Sequence, residues 1–221
     1  MWCIPQANAE YVARMEEVLD LYEQPYDPKR PLLCYDEGLK QLIEETRIGL
    51  PAKPGQVERY DYEYKRNGVR NLNMFFEPLV AKRQVVLTER HTMKDFAHLM
   101  RWLVDAAYPE AEWIDIVLDN LETHKPAALY ETFPPAEARR ILKKLRFHYT
   151  PKHASWLNMA EIELSVYDRR LKDHIPDDVS LAKEVQAITA QRNSANVTVD
   201  WQFRTPDARI KLKRLYPSIP D

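Results

Sequence analysis

Glycine is scarce in this chain: 4 in 221 residues, beside 16 prolines. That argues against a glycine-rich loop that cradles a phosphate. Cysteine is scarcer still. Cys3 and Cys34 have no metal-ligand spacing and are too few for a disulfide framework, which is the usage expected of a reduced, cytoplasmic protein. No run approaches the roughly 20 apolar residues of a membrane span. The opening MWCIPQANAE lacks the basic start and apolar segment of a signal peptide. An excess of one charge is also missing, since 32 Lys and Arg stand against 34 Asp and Glu for a formal net charge of -2. Overall charge therefore does not advertise a nucleic-acid partner, and any such partner must be held by local basic patches.

What is present is ordinary globular material, 45% hydrophobic and 30% charged, with length enough for one sizeable core. Residues 8–23 place Tyr11, Met15, Val18, Leu19 and Tyr22 at helical spacing behind Asn8 as a cap. PLLCYDEG reads as a short buried strand closing at Asp36, Glu37 and Gly38, followed by a polar, proline-containing stretch to about residue 58. From residue 59 an alternating segment, RYDYEYKRNGVRNLNMFFEPL, carries Asn67–Gly68 as a turn signal, and RQVVLTE is a further strand. Together these predict an antiparallel meander.

Helix and strand then alternate. Residues 92–109 form a helix with Phe96, Leu99, Met100, Leu103 and Val104 on one face; WIDIVLDN is a strand; KPAALYETF and PPAEARRILKKL are helices; RFHYT is a strand. A helix capped by Ser155 follows, then one near residues 180–191, then a basic helix with Thr205 as cap and Pro206 at its first position. This order predicts an α/β fold with a mixed sheet flanked by helices.

Two of the strands end in acids, Asp36 and Asp119. If they are neighbours, their carboxylates meet at the strand ends, where α/β sheets gather ligands. Like charges so close repel unless a cation lies between them, and carboxylate oxygens suit Mg²⁺ or Mn²⁺. Glu161, at the edge of an apolar helical face formed by Leu157, Ala160 and Leu164, is a third candidate. A pair of ions on three carboxylates suits phosphodiester chemistry.

These residues sit in three motifs. LLCYDEG holds Asp36, VLDNLETHKP holds Asp119 with Asn120 and a histidine five positions on, and HYTPKHASWLNMAEIELS holds Leu157–Asn158 shortly before Glu161. From about residue 2 to residue 216 the chain resembles the DDE transposases of the mariner superfamily, in the branch found in bacterial insertion sequences. The resemblance selects Asp36, Asp119 and Glu161 as catalytic and metal-binding residues, and Glu161 over Glu163. It implies an RNase H-like sheet, two Mg²⁺ (or Mn²⁺) ions, and cutting of transposon ends followed by joining to target DNA. It also implies a homodimer in the active complex. The interval between the second and third acids is somewhat long, which the PPAEARRILKKL helix accounts for.

The family usually begins with helix-turn-helix modules, whereas this sequence starts at what resembles the linker into the catalytic domain. Recognition of terminal repeats is therefore expected from an upstream subunit or a frameshift product. The expected organisation is an N-terminal helix and linker (1–30), an RNase H-like catalytic domain (31–172) and a basic helical extension (173–221). Asn120, His124 and Asn158 are accessory candidates, His124 near the scissile phosphate or a metal-bound water. Arg139, Arg140, Lys143, Lys144, Arg146 and Lys152 form one candidate DNA-binding patch, and Arg209, Lys211, Lys213 and Arg214 a second. The function expected is a transposase catalytic domain of the bacterial cytoplasm, associated with the nucleoid. The alternatives are a non-catalytic remnant that binds DNA or transposase subunits, and a generic RNase H-like nuclease.

Overall fold

The structure, a computed structural model, describes residues 8–47, 49–59 and 62–217; Cys3 lies outside them. Five strands make one sheet: β1 Leu32–Glu45, β2 Tyr64–Glu77, β3 Lys82–Thr88, β4 Ile114–Leu118 and β5 Leu145–Tyr149, in the order β3-β2-β1-β4-β5. The β1–β2 and β2–β3 pairs are antiparallel, and β1–β4 and β4–β5 are parallel. This is the RNase H-like mixed sheet, a meander joined to two parallel strands. Among the described residues, seven α-helices accompany it: α1 Ala9–Tyr22, α2 Met93–Trp102, α3 Ala127–Thr132, α4 Pro135–Leu142, α5 Met159–Arg170, α6 Asp178–Ser194 and α7 Thr205–Lys211. Among the described residues, no helix is long and apolar enough to cross a membrane.

Strand alternation sorts the core into two layers. Cys34, Leu72, Met74, Phe76 and Val117 pack with α1, α5, α6 and α7 on one face. Leu33, Tyr35, Phe75, Ile114, Ile116 and Leu118 pack with α2, α3 and α4 on the other. The amino-terminal helix and the carboxy-terminal segment share the first cluster. Thr205 donates to Asp20 across 2.7 Å, and Arg209 pairs with Glu16 at 2.9 Å, tying α7 to α1. Trp156 and Trp201 belong to this cluster and stack 6.3 Å apart.

Four local expectations give way. First, β1 does not stop at Asp36 but runs on to Glu45, paired with β2 along its length. Second, Asn67–Gly68 is not a hairpin turn. Gly68 has φ +93 inside the continuous strand β2, where the register slips between Gln41 and Ile43. A bulge and a tight turn demand the same left-handed glycine, so the dipeptide alone cannot separate them. At the bulge, Ile43 N–H turns away to donate to Ile175 O at 2.8 Å. Third, Ser155 does not cap α5. It opens a short 3-10 turn, Ser155–Leu157, and Asn158 takes the cap, its side chain accepting from Ala160 N at 3.1 Å. Likewise Arg204 precedes α7, and Thr205 is its first residue.

Candidate active site

The parallel pairing of β1 and β4 sets Cys34 beside Val117. Two residues further on, Asp36 of β1 and Asp119, just past the end of β4, reach the same end of the sheet. Asp36 projects toward α5, on the face of Cys34, and β4 has just ended when Asp119 is reached. Gly38 brings α5 close, since a Cβ there would lie 3.1 Å from Leu164 Cδ2. Asp36 and Glu161, the latter exposed in the first turn of α5, line one cleft of about 380 Å³ with Leu72, Leu164 and Leu171. Asn120 lines an adjoining groove with Lys152 and His153.

Asn158 is the hinge pin between β1 and α5. Its amide donates to Tyr35 O at 2.8 Å and stands 3.4 Å from Asp36 Oδ2, while its carbonyl oxygen caps the helix. One buried side chain thus fixes where Glu161 starts relative to Asp36. Asp36 Oδ1 accepts from Glu37 N at 2.8 Å. Burial, and then the charges of Glu161 and Asp119, push the Asp36 carboxyl up to about 7. The three acids therefore feel one another.

Asp119 is held from the other side. His124 Nδ1 lies 2.6 Å from Asp119 Oδ1, and Nε2 lies 3.1 Å from Glu37 Oε1. The ring is 1% exposed, sits on a 3-10 turn at Glu122–His124, and packs 5.1 Å from Phe96 and 5.2 Å from Tyr35. Both nitrogens face carboxylates, so both donate and the ring is charged. Burial pulls its pKa down, but the bonds to Asp119 and Glu37 prevail and raise it to about 9. Glu37 is half-buried, which works to raise its pKa, yet its bonds to His124 and Tyr35 hold its carboxyl below the usual range.

Among the described residues, no three His, Cys, Asp or Glu side chains converge closely enough to hold a metal ion. The donor chemistry nonetheless fits a hard divalent cation. The Asp36 carboxyl is held well above its usual range by burial and by the company of two further carboxylates, and the Glu161 carboxylate has no hydrogen-bond partner among the described residues. A cation would relieve that repulsion.

The family described as DDE superfamily endonuclease matches residues 31–181. The chain belongs to the DDE superfamily endonucleases. No curated protein matches its sequence. Its fold is that of solved Mos1 transposase structures. The Mos1 strand transfer complex matches with a TM-score of 0.57 and 12% identity, over 89% of this chain and 60% of that one. The Mos1 paired-end complex with left transposon end matches at 0.54 and 14%, and the mariner paired end complex with Mn at 0.54 and 13%, each over 89% of this chain and 61% of the other. The chain thus spans about three fifths of the length of these structures.

In this DDE endonuclease, Glu163 is not a neighbour of the cleft. It is 1% exposed and faces Arg83 (2.6 and 2.8 Å) and Arg192 (2.8 and 2.9 Å), locking α5 to β3 and α6. The basic residues are dispersed. Arg140 is engaged with Asp105 and Glu137, and Lys144 donates to Pro109 O. Arg146 lies over Trp113 at 3.7 Å and pairs in register with Asp115, four residues from Asp119 toward the opposite end of the sheet. Arg139 and Lys143 are exposed around α4. Of that run, Lys152 is the residue that shares a groove with the second acidic motif. In the tail, Arg209 is engaged with Glu16, Lys211 lies 4.0 Å from Asp207, and Lys213 and Arg214 are exposed.

Sequence reasoning missed the Tyr35–Glu37–His124 connection. The available signal was alternation: Leu33, Tyr35 and Glu37 share the apolar face of β1, and an acid in that series needs a buried partner.

Proposed function

We propose that this chain is the catalytic part of a transposase that cuts DNA at transposon ends and joins the cut end to target DNA, using divalent metal. The observation that carries the reading is the parallel pairing of β1 with β4, which brings Asp36 and Asp119, just past the end of β4, to one end of the sheet, with Asn158 pinning the turn that bears Glu161 beside Asp36. Asp36, Asp119 and Glu161 would hold two Mg²⁺ or Mn²⁺ ions, which when bound supply Lewis-acid stabilisation of charge on the phosphate. Support for the metal comes from the donor set and from the mariner Mos1 paired end complex with Mn.

The chain's own contribution is placement. Asp36 and Glu161 form the acidic end of the cleft, and Leu72, Leu164 and Leu171 supply its apolar walls. Two displacements follow at one site. Water attacks the phosphorus at the transposon end and the P–O bond to the 3′ oxygen breaks, leaving a 5′ phosphate. The freed 3′-hydroxyl then attacks a target phosphodiester, forming a new P–O bond as the bond to the target's 3′ oxygen breaks and that oxygen leaves as a hydroxyl. DNA is the partner. The Mos1 structures are complexes of paired transposon ends and of strand transfer, which supports a paired assembly of two copies for this chain.

The test is a strand-transfer assay with purified chain, a pre-cut DNA end and plasmid target, in Mn²⁺ and in chelator. Metal-dependent joining is expected. Binding without joining would favour a remnant that retains only DNA affinity, and cleavage confined to RNA–DNA hybrid would favour a nuclease.

A further inference from the structure

We infer that Glu37 and His124 are positioning residues that set the orientation of the Asp119 carboxylate, so that one β strand serves both acids from its two faces. The inference rests on the proposed metal site and adds to it the device that presents the second acid.

The argument begins with exposure. The Asp119 side chain is 38% exposed and follows the last residue of β4, so nothing in the strand itself fixes its rotamer. Leu121 N–H reaches Oδ1 at a long 3.4 Å, and His124 supplies the closer constraint, holding Oδ1 at 2.6 Å. Asp119 Oδ2 has no partner among the described residues and is left for a ligand. The histidine ring is fixed in turn by Phe96 and Tyr35 against its surfaces and by Glu37 at its far nitrogen. Glu37 is fixed by the Tyr35 hydroxyl at 2.7 Å, whose single hydrogen is set between Glu37 Oε1 and Asn73 Oδ1 at 3.0 Å. Asn73 is anchored on β3 through Val86 O and Thr88 Oγ1, both at 3.0 Å. The series runs from the sheet edge, through buried side chains of three strands and a turn, and ends on a solvent-facing acid.

Such an arrangement is expensive to bury. A carboxylate, an imidazole, a phenol and an amide occupy positions where apolar side chains would cost no desolvation. Each member holds the next, and the last member held is Asp119. The consecutive residues Asp36 and Glu37 point to opposite faces of β1. Asp36 enters the cleft directly, while Glu37 acts on the neighbouring acid through His124.

The test is Mn²⁺ affinity of the full 221-residue chain, measured by the electron paramagnetic resonance of free Mn²⁺, with circular dichroism confirming fold. Glu37→Ala should weaken Mn²⁺ binding by about tenfold, the lower end for loss of an outer-shell partner. Glu37→Gln, which keeps an acceptor oxygen for His124, should retain most of the affinity. Because Glu37 acts through His124, adding Glu37→Ala to His124→Ala should produce no further loss. Wild-type affinity in Glu37→Ala, or losses that add in the double variant, would overturn the inference. If Glu37→Ala does not fold, Tyr35→Phe carries the test: it frees the same Glu37 oxygen, weaker Mn²⁺ binding is expected, and unchanged binding overturns the inference. Asp119→Asn separates the two readings. If it loses Mn²⁺ while Glu37→Ala does not, this inference alone fails. If it binds Mn²⁺ as wild type does, the metal site fails and the inference with it.

Discussion

Glu161 and Glu163 stand two residues apart on α5 and look in different directions: Glu161 is exposed at the cleft, while Glu163 is 1% exposed between Arg83 and Arg192. A buried carboxylate with two forked guanidinium partners anchors the helix, and the helix aims the other acid. Burial works to raise the Glu163 pKa, but the two arginines outweigh it and hold the carboxyl below its usual range. Glu163→Gln would leave Arg83 buried without its counter-charge. A loss of about 3–5 kcal/mol of unfolding free energy is expected, read by urea denaturation. A variant as stable as wild type would show that the cluster contributes nothing to the fold.

Asp119→Asn should abolish metal-dependent nicking and strand transfer while leaving DNA affinity nearly intact. The amide has the same shape but brings no negative charge to a cation. Gel-shift titration beside the cleavage assay measures both properties. Wild-type cleavage by the variant would remove Asp119 from the site.

Metal should stabilise the fold, because the folded site binds it and the unfolded chain does not. At about tenfold excess of free Mn²⁺ over its dissociation constant, linkage gives about 1.4 kcal/mol. For a chain of this size that is a rise in melting temperature of about 3–6 °C. Asp36→Asn should lose most of that shift. Equal shifts in variant and wild type would place the metal elsewhere.

The raised pKa of Asp36 predicts a pH dependence in chelator. Its carboxyl is held at about 7 in the folded chain against an ordinary 3.8, so the folded state binds the proton more tightly. The stabilising contribution is complete below the ordinary value and is lost as pH rises through about 7. Asp36→Asn lacks this term. Between about pH 5 and about pH 8 the melting temperature of wild type should therefore fall relative to the variant, as followed by melting scans. Parallel pH profiles would contradict the shift.

DNA binding by this chain should depend steeply on salt and little on sequence, since phosphate contacts release counterions. Lys152, exposed in the groove beside Asn120, should carry one such contact. Lys152→Ala is expected to weaken binding and reduce the slope of log affinity against log salt by about 1. Arg140→Ala should leave the slope unchanged, because that guanidinium is engaged with Asp105 and Glu137. Fluorescence anisotropy over a salt series decides between them.

Much of the architecture was legible in the chain's own periodicity. The alternation in β2 and β3, the helical spacing behind Asn8 and the strand-closing Asp119 are local patterns, and local geometry follows from them. The three acidic motifs are local as well, and the family assignment rests on such stretches. Asn67–Gly68 was read as a turn because the dipeptide reports only a left-handed backbone. Whether the strand reverses there or bulges depends on what pairs with it, here Gln41 and Ile43 of β1.

What only the tertiary structure decided is which polar groups meet. Glu37 and His124 are 87 residues apart, and Arg83 and Glu163 are 80 apart. No periodicity links such positions, since each pair is made by strand order and helix docking. The sequence by itself determined the elements, their order and the acids available for chemistry. Folding decided that Glu161 faces the cleft while Glu163 anchors α5, and that Glu37 holds Asp119 through His124. A buried charge must find its partner wherever the packed chain brings one within hydrogen-bond reach.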